Sequence, residues 1–379
     1  MSAGWRLGAV GFGLIAVCYG LARFAFGLFL PRINADLQLS ASLGALMSGG
    51  AFLGYCLAIG AGAALTERMG PRFVAVAAAG VAAAGMLGIA LAPAPGWLAA
   101  AVLLAGSSTG LASPPLAAAV ALAVPAGRQD AVNTLINAGT GAGVLLSGPA
   151  ALALGSDWRL AFGGFAALAV LVALATFRVV PRGGRSAHAA AAALWPLNGA
   201  LKRLVAAAFL CGASSTALWS FGSQLVALRL DWGGAGAGLL WMVIGAAGVA
   251  GAGAGRLIGR VGMARVHVAF LAAMAAGIAL VGQTGATPAW TLAGAALFGV
   301  AYIMLTGVYL VWGVGALPQR PAAGLMVGFL ALAVGQTAGA PLFGLLMTRL
   351  SAGHAVAAFA ALALAAACVR TAPVRQRSL

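Results

Sequence analysis

The chain has 379 residues, of which 63% are hydrophobic and only 7% charged, with a mean hydropathy of +1.05. A soluble globular domain is excluded, because its core would need a polar shell; the solvent must be lipid, which admits helices of about 20 apolar residues. The formal net charge of +16, from 21 basic and 5 acidic residues, would suggest nucleic acid in a soluble protein; here the arginines fall in short loops between apolar segments, so no nucleic-acid partner is expected.

Cutting the chain at Pro, Gly and charge clusters predicts an all-α polytopic membrane protein of twelve transmembrane helices. They run at about 7–30, 42–65, 73–92, 97–124, 130–153, 159–177, 203–228, 236–257, 265–283, 289–315, 322–347 and 354–369. The first apolar run outlasts a signal-peptide core and is taken as a retained span. Six spans in each half return the chain to its starting side. The expected organisation is an N-terminal six-helix bundle over 1–177, a basic linker over 178–202 and a C-terminal bundle over 203–379. Cys18, Cys56, Cys211 and Cys368 lie in apolar stretches without a CxxC pair, and the histidines show no HExxH spacing. No disulfide framework, metal site or cofactor is therefore expected.

The halves repeat one pattern at an offset of 192 residues: Gly20 meets Gly212, Gly143 meets Gly335, and Pro149 meets Pro341. Of ten arginines in the first half, Arg68, Arg128, Arg178 and Arg185 land on Arg260, Arg320, Arg370 and Arg377. Random placement would give about half a match. With a one-residue slip, Trp97 also meets Trp290. Because each half has an even number of spans, the repeats are parallel, an arrangement found in secondary transporters.

Orientation follows from the basic residues. With both termini in the cytoplasm, sixteen fall on that side and four, Arg32, Arg159, Arg229 and Arg349, on the other. This bias predicts a multi-pass membrane protein with cytoplasmic termini.

Between the second and third spans stands Leu65-Thr66-Glu67-Arg68-Met69-Gly70-Pro71-Arg72. It resembles the G-x-L-a-D-R-x-G-R-R signature of the major facilitator superfamily, with Glu67 for the usual Asp and Pro71 for a basic residue. Leu257-Ile258-Gly259-Arg260-Val261-Gly262 repeats it without the acid, and Trp158-Arg159-Leu160-Ala161-Phe162 is also similar to the family. The first span, Tyr19-Gly20-Leu21-Ala22-Arg23-Phe24 through Leu30-Pro31, resembles a poorly characterised bacterial branch near the sugar-efflux permeases. The resemblance implies two parallel six-helix repeats, alternating access, and a gating role for Glu67, Arg68, Gly70, Arg72, Arg260 and Gly262. An orientation-setting basic loop is the plainer reading of the same residues. The chain departs from the family at Gly106, where an arginine linked to proton coupling often stands. Its G-x-x-x-G-P pattern is incomplete in spans five and eleven, so the usual antiport scheme is not expected.

Arg23 is the only charge placed well inside a span, where an arginine is disfavoured by about 2.5–3.5 kcal/mol. Two readings are open. Its guanidinium fork meets an anionic group of the substrate, or it is structural, bonded to backbone carbonyls or reaching the outer interface. The resemblance implies that spans one, four, seven and ten line a central cavity. Substrate-binding candidates there are Tyr19, Arg23 and Phe26; Thr109 and Ser113; Ser214, Trp219 and Gln224; and Tyr302, Thr306 and Tyr309. Pro114-Pro115 is expected to break the fourth span. Asn133, Asn137 and Thr140 form a polar stripe on span five, read first as interhelical glue and second as substrate contact. No Asp, Glu or His falls mid-span.

The expected function is transport of a small organic solute, anionic if Arg23 meets it, by a monomeric secondary active or facilitative carrier whose other partner is the bilayer. No P-loop is present to drive an ATP pump. An enzyme is not expected, since no buried acid/base pair or metal ligand set is evident. The alternative is a non-transporting receptor or sensor on the same fold.

Overall fold

The computed structural model describes residues 3–154, 157–183, 198–230, 232–317 and 321–371. The first span is one continuous rod of α1 (Ala3–Ile15), a π-helical segment (Ala16–Phe24) and α2 (Ala25–Asp36). Then follow α3 (Ala41–Met69), α4 (Pro71–Ala90), α5 (Pro95–Ala123), α6 (Ala126–Ala153) and α7 (Trp158–Val179). The second half begins with α8 (Gly199–Trp219) and α9 (Gly222–Leu230), then α10 (Gly233–Val249), a 3₁₀ turn (Ala250–Gly253) and α11 (Ala254–Val261). It closes with α12 (Met263–Gly282), α13 (Pro288–Ala316), α14 (Pro321–Arg349) and α15 (Ala352–Ala367).

Among the described residues, ten helices are long and apolar enough to cross a membrane. The pair α10 and α11, bent by 56°, and the shorter apolar α15 bring the crossings to twelve. Besides this bend in span eight, the expected segment list differs in three places. Span one does not stop at Pro31 but runs on to Asp36 with the proline inside α2. Span seven is two helices, parted between Trp219 and Gly222. Span four is not broken: α5 runs through Pro114 and Pro115. Prolines inside a span are tolerated where neighbouring helices cover the freed carbonyls, and α3 lies close along this stretch, against Gly106 and Gly110.

Local sequence sets the ends. Pro71, Pro95 and Pro288 open their helices at the first turn, where a missing N–H is harmless. Ser40, Asp157, Asn198, Thr287 and Ser351 cap theirs by accepting a backbone N–H. Gly70 and Gly262, repeat mates, end α3 and α11 with φ of 83° and 90°. That left-handed geometry suits glycine, so the shared turn explains the shared residue.

The repeat also shows in packing. In the first half the π segment meets α6 where Gly20 faces Gly143 backbone. In the second, α8 meets α14 where Gly212 faces Leu332 and Gly335 faces Phe209 and Ala213. The glycines of spans five and eleven thus serve close helix approach within each half. Between halves, α3 lies along α14 and α6 along α10. At the end opposite the termini, Ser48 donates to Ser220 at 2.6 Å and Gly27 abuts the Trp219 carbonyl. Large apolar side chains such as Leu57, Leu87, Leu171 and Phe177 face outward, as a lipid-solvated surface requires. Trp97 and Trp290 are also exposed, at 56% and 55%, one turn into α5 and α13, where interfacial tryptophans anchor spans.

Candidate functional site

Arg23 sits near the end of the π segment, a geometry of i→i+5 bonds that recurs at functional sites. It is only 4% exposed. Its guanidinium carbon lies 4.7 Å from the ring centre of Phe52, 4.9 Å from Tyr55, 5.1 Å from Phe24 and 5.7 Å from Tyr19. Ring faces attract a cation, and more so away from water. Nη2 donates to Oε1 of Gln336 on α14, while Nε has no partner. Arg23 is buried rather than exposed at an interface, and Nη2 meets a side-chain amide rather than a backbone carbonyl. The single ion pair among the described residues lies elsewhere, Arg159 to Asp36 at 2.8 Å.

Arg23 borders a cavity that both halves build. Tyr19, Arg23 and Phe24 come from the first span, Tyr55 from α3, and Asn137 and Thr140 from α6. Tyr302, Ile303 and Thr306 come from α13, and Phe329 and Leu332 from α14. The space open to the centre of a water-sized sphere is about 20 Å³, enough for one or two waters. The cavity is therefore drawn tight around its lining.

Of the sequence candidates, Tyr19, Arg23, Tyr302 and Thr306 converge here. Ser113 supports the site from behind, sharing a 2.8 Å hydrogen bond with the Tyr19 hydroxyl. Spans four and seven do not line the cavity, contrary to expectation. Thr109 and Ser214 turn their hydroxyls back onto their own helices, at 2.6 Å to Gly106 O and 3.0 Å to Cys211 O. Trp219 stacks on Phe24 at 4.1 Å and meets Tyr302 edge-on, forming a wall behind the lining. Phe26 is buried in the core. Tyr309 lies apart, near His267 and the carbonyl of Ala207. Gln224 lines a separate cavity with Phe221, Thr348 and Met347. Asn137 and Thr140 do reach the cavity; Asn133 does not line it.

The chain pattern missed Tyr55, Phe24 and Gln336. Restricting candidates to four spans excluded α3 and α14, although Gln336 was a lone amide in an apolar run and Tyr55 a phenol in another. His267 is placed near a span end as expected, yet it is fully buried.

The loop between α3 and α4 has a clear local role. Gly70 packs on the carbonyl of Arg182, and Arg72 donates through Nε to Val180 O at 2.6 Å, beside the Phe177 ring. The turn therefore grips the chain as it leaves α7. Glu67, Arg68, Arg260 and Gly262 are exposed, and none of the three charged residues forms an ion pair among the described residues. Arg320 lies outside the described residues.

Several solved transporters share this architecture. The structure matches the nucleoside transporter NupG (D323A mutant) with a TM-score of 0.76 at 12% identity, covering 97% of this chain and 98% of that one. It matches the xylose transporter XylE from E. coli, in a partially occluded inward-open conformation, with a TM-score of 0.77 at 15% identity, covering 97% and 98%. The human organic anion transporter MFSD10 matches with a TM-score of 0.70 at 17% identity, covering 97% and 99%. No curated protein matches the sequence. The sequence profile of the Major Facilitator Superfamily matches residues 12–333, most of the chain, and with the twelve crossings and repeat-related packing this protein belongs to that superfamily.

Proposed function

We propose that this membrane transporter moves a small organic solute bearing an anionic group, held by Arg23 in the cavity between the two halves. The carrying observation is a buried arginine in a cavity wall with no carboxylate partner among the described residues. An unpaired buried charge is unfavourable, and an anion from the solute removes the deficit. Tyr19, Tyr302 and Thr306 offer hydroxyls and the rings offer apolar walls, the usual make-up of a small-ligand site. Because the lining comes from both halves, a bound solute bridges them and its binding couples to their closure. The fold itself does not select the solute: the similar structures are named for a nucleoside, a sugar and organic anions.

In this reading the moving bodies are 1–177 and 203–379, with 178–202 as tether; residues 184–197 of that tether lie outside the described ones. The basic-residue bias supports cytoplasmic termini in a bacterial inner membrane. The Ser48–Ser220 end then faces outward, and the carrier is closed on that side. The first-span pattern supports placement near the sugar-efflux branch. The carrier acts as a monomer, without chemistry on its solute.

The test is ligand-dependent thermal stabilisation of the purified protein, because a ligand of the folded state raises the apparent melting temperature. Organic anions should stabilise wild type, while cations and neutral sugars should not. Arg23→Ala, still folded, should lose that response, and Arg23→Lys should keep part of it. Stabilisation by neutral or cationic solutes, unchanged in Arg23→Ala, would overturn the assignment.

A further inference from the structure

We propose that Gln336 is the specificity-setting residue of this site: it occupies Arg23 from the opposite half and yields only to a charged acceptor. The inference rests on Arg23 as the solute's anchor. Gln336 is fully buried, and both ends of its amide are engaged. Oε1 accepts from Arg23 Nη2; Nε2 donates to Tyr302 Oη at 3.0 Å and to Ser215 Oγ at 3.2 Å. A guanidinium has donors and no acceptor, so the amide must turn its oxygen to Arg23. That choice sends the NH₂ group to the two hydroxyls, which can accept. The amide therefore has one orientation, fixed from both ends.

The repeat adds a second argument. Ser215 is the 192-offset mate of Arg23, so Gln336 stands between equivalent positions of the two halves. One position carries the cation and the other carries the hydroxyl that steadies the cation's partner.

A carboxamide oxygen is a neutral imitation of a carboxylate oxygen. A neutral solute acceptor, such as a sugar hydroxyl or an amide, would replace one neutral acceptor of the guanidinium by another and gain little. A carboxylate brings an ionised acceptor to the ionised donor, which adds ion pairing to the hydrogen bond, and can use the free Nε as well. The threshold set by Gln336 thus favours anions over neutral isosteres of the same shape. It also explains why glutamine rather than glutamate suits the position: a glutamate would neutralise Arg23 permanently and leave the solute nothing to displace.

The experiment uses the full-length purified protein and matched pairs of probes: benzoate with benzamide, nicotinate with nicotinamide, and lactate with lactamide. Affinities are read from concentration-dependent thermal stabilisation in wild type, Gln336→Met, Gln336→Glu, Ser215→Ala and Arg23→Ala. The expected result is a carboxylate preference in wild type that falls about tenfold in Gln336→Met, chiefly because carboxamide binding improves. Ser215→Ala, which loosens the amide without touching Arg23, should shift the ratio the same way by less, and it covers the case in which Gln336→Met does not fold. Gln336→Glu should lose carboxylate binding. An unchanged carboxylate-to-carboxamide ratio in both Ser215→Ala and the folded Gln336→Met overturns the role of Gln336 while leaving Arg23 as the anchor. A wild type with no carboxylate preference, or one that persists in Arg23→Ala, overturns the underlying anion assignment instead.

Discussion

Ser48 of α3 and Ser220, in the break between α8 and α9, meet Oγ to Oγ at 2.6 Å and tie the two halves at the end opposite the termini. Side chains this close can be bridged when both are cysteines. In a background lacking the native cysteines, a Ser48→Cys/Ser220→Cys pair should crosslink on oxidation. Reconstituted transport should fall at least about tenfold, because alternating access requires this contact to part. Reductant should restore it. An oxidised, crosslinked carrier running at the wild-type rate would show that the Ser48–Ser220 contact does not open during transport.

Arg72 holds the segment leaving α7 through Nε and lies 5.7 Å from the Phe177 ring centre. Arg72→Ala should lower stability by about 1 kcal/mol, the low end for a charged hydrogen bond because the side chain is partly exposed. Arg72→Lys should not rescue it, since a lysine is a point charge without the guanidinium's directed Nε–H. Unfolding curves in detergent decide the matter; full rescue by lysine would mean that charge alone matters.

Two glycines should respond with opposite sign. A Cβ at Gly20 would stand 2.7 Å from Val144 N and closer still to Gly143, all backbone atoms that cannot swing aside. Gly20→Ala should therefore destabilise by about 1–3 kcal/mol and reduce transport, because it forces the π segment away from α6. At Gly60 nothing lies within 4 Å, and Gly60→Ala should stabilise α3 by up to about 1 kcal/mol through helix propensity. Equal melting temperatures for the two variants would contradict the close approach at Gly20.

His267 is fully buried, edge-on to Tyr309 and Trp312 at 5.8 and 5.7 Å, with Nδ1 lacking a partner. It lines neither cavity described here. Phenylalanine keeps the ring contacts and removes the unpartnered nitrogen; it gives up the long 3.4 Å contact of Nε2 with the Tyr309 hydroxyl, which still has the Ala207 carbonyl. His267→Phe should be neutral or stabilising by about 1 kcal/mol, with the pH profile of transport unchanged. A flattened profile would instead identify His267 as a proton carrier.

The architecture was legible because its determinants are local and periodic. Apolar length marks the spans, and Gly70 and Gly262 mark matching turns. The 192-residue offset pairs Gly20 with Gly212 and Gly143 with Gly335, and all four sit at close helix approaches. The break after Trp219 and the continuity of α5 through Pro114 were not legible, because both depend on which neighbouring helix covers the freed backbone. Within the site, charge and chemistry singled out Arg23, Tyr19, Tyr302 and Thr306. Gln336 stayed hidden because its partner lies 313 residues away, and nothing local distinguishes it from an amide that binds an adjacent helix.

The π segment has a further geometric consequence for the first span. Each i→i+5 ring encloses one residue more than an α-helical ring, so Ala16–Phe24 holds slack within an unbroken rod. Drawing one such turn down to α geometry would swivel α1 against α2 by about 100° and lengthen the span by about 1.5 Å. Tyr19 and Arg23 ride inside that slack. The anchor can thus change its bearing like a swivel in a shaft, as one end of the helix turns and slides in its seat.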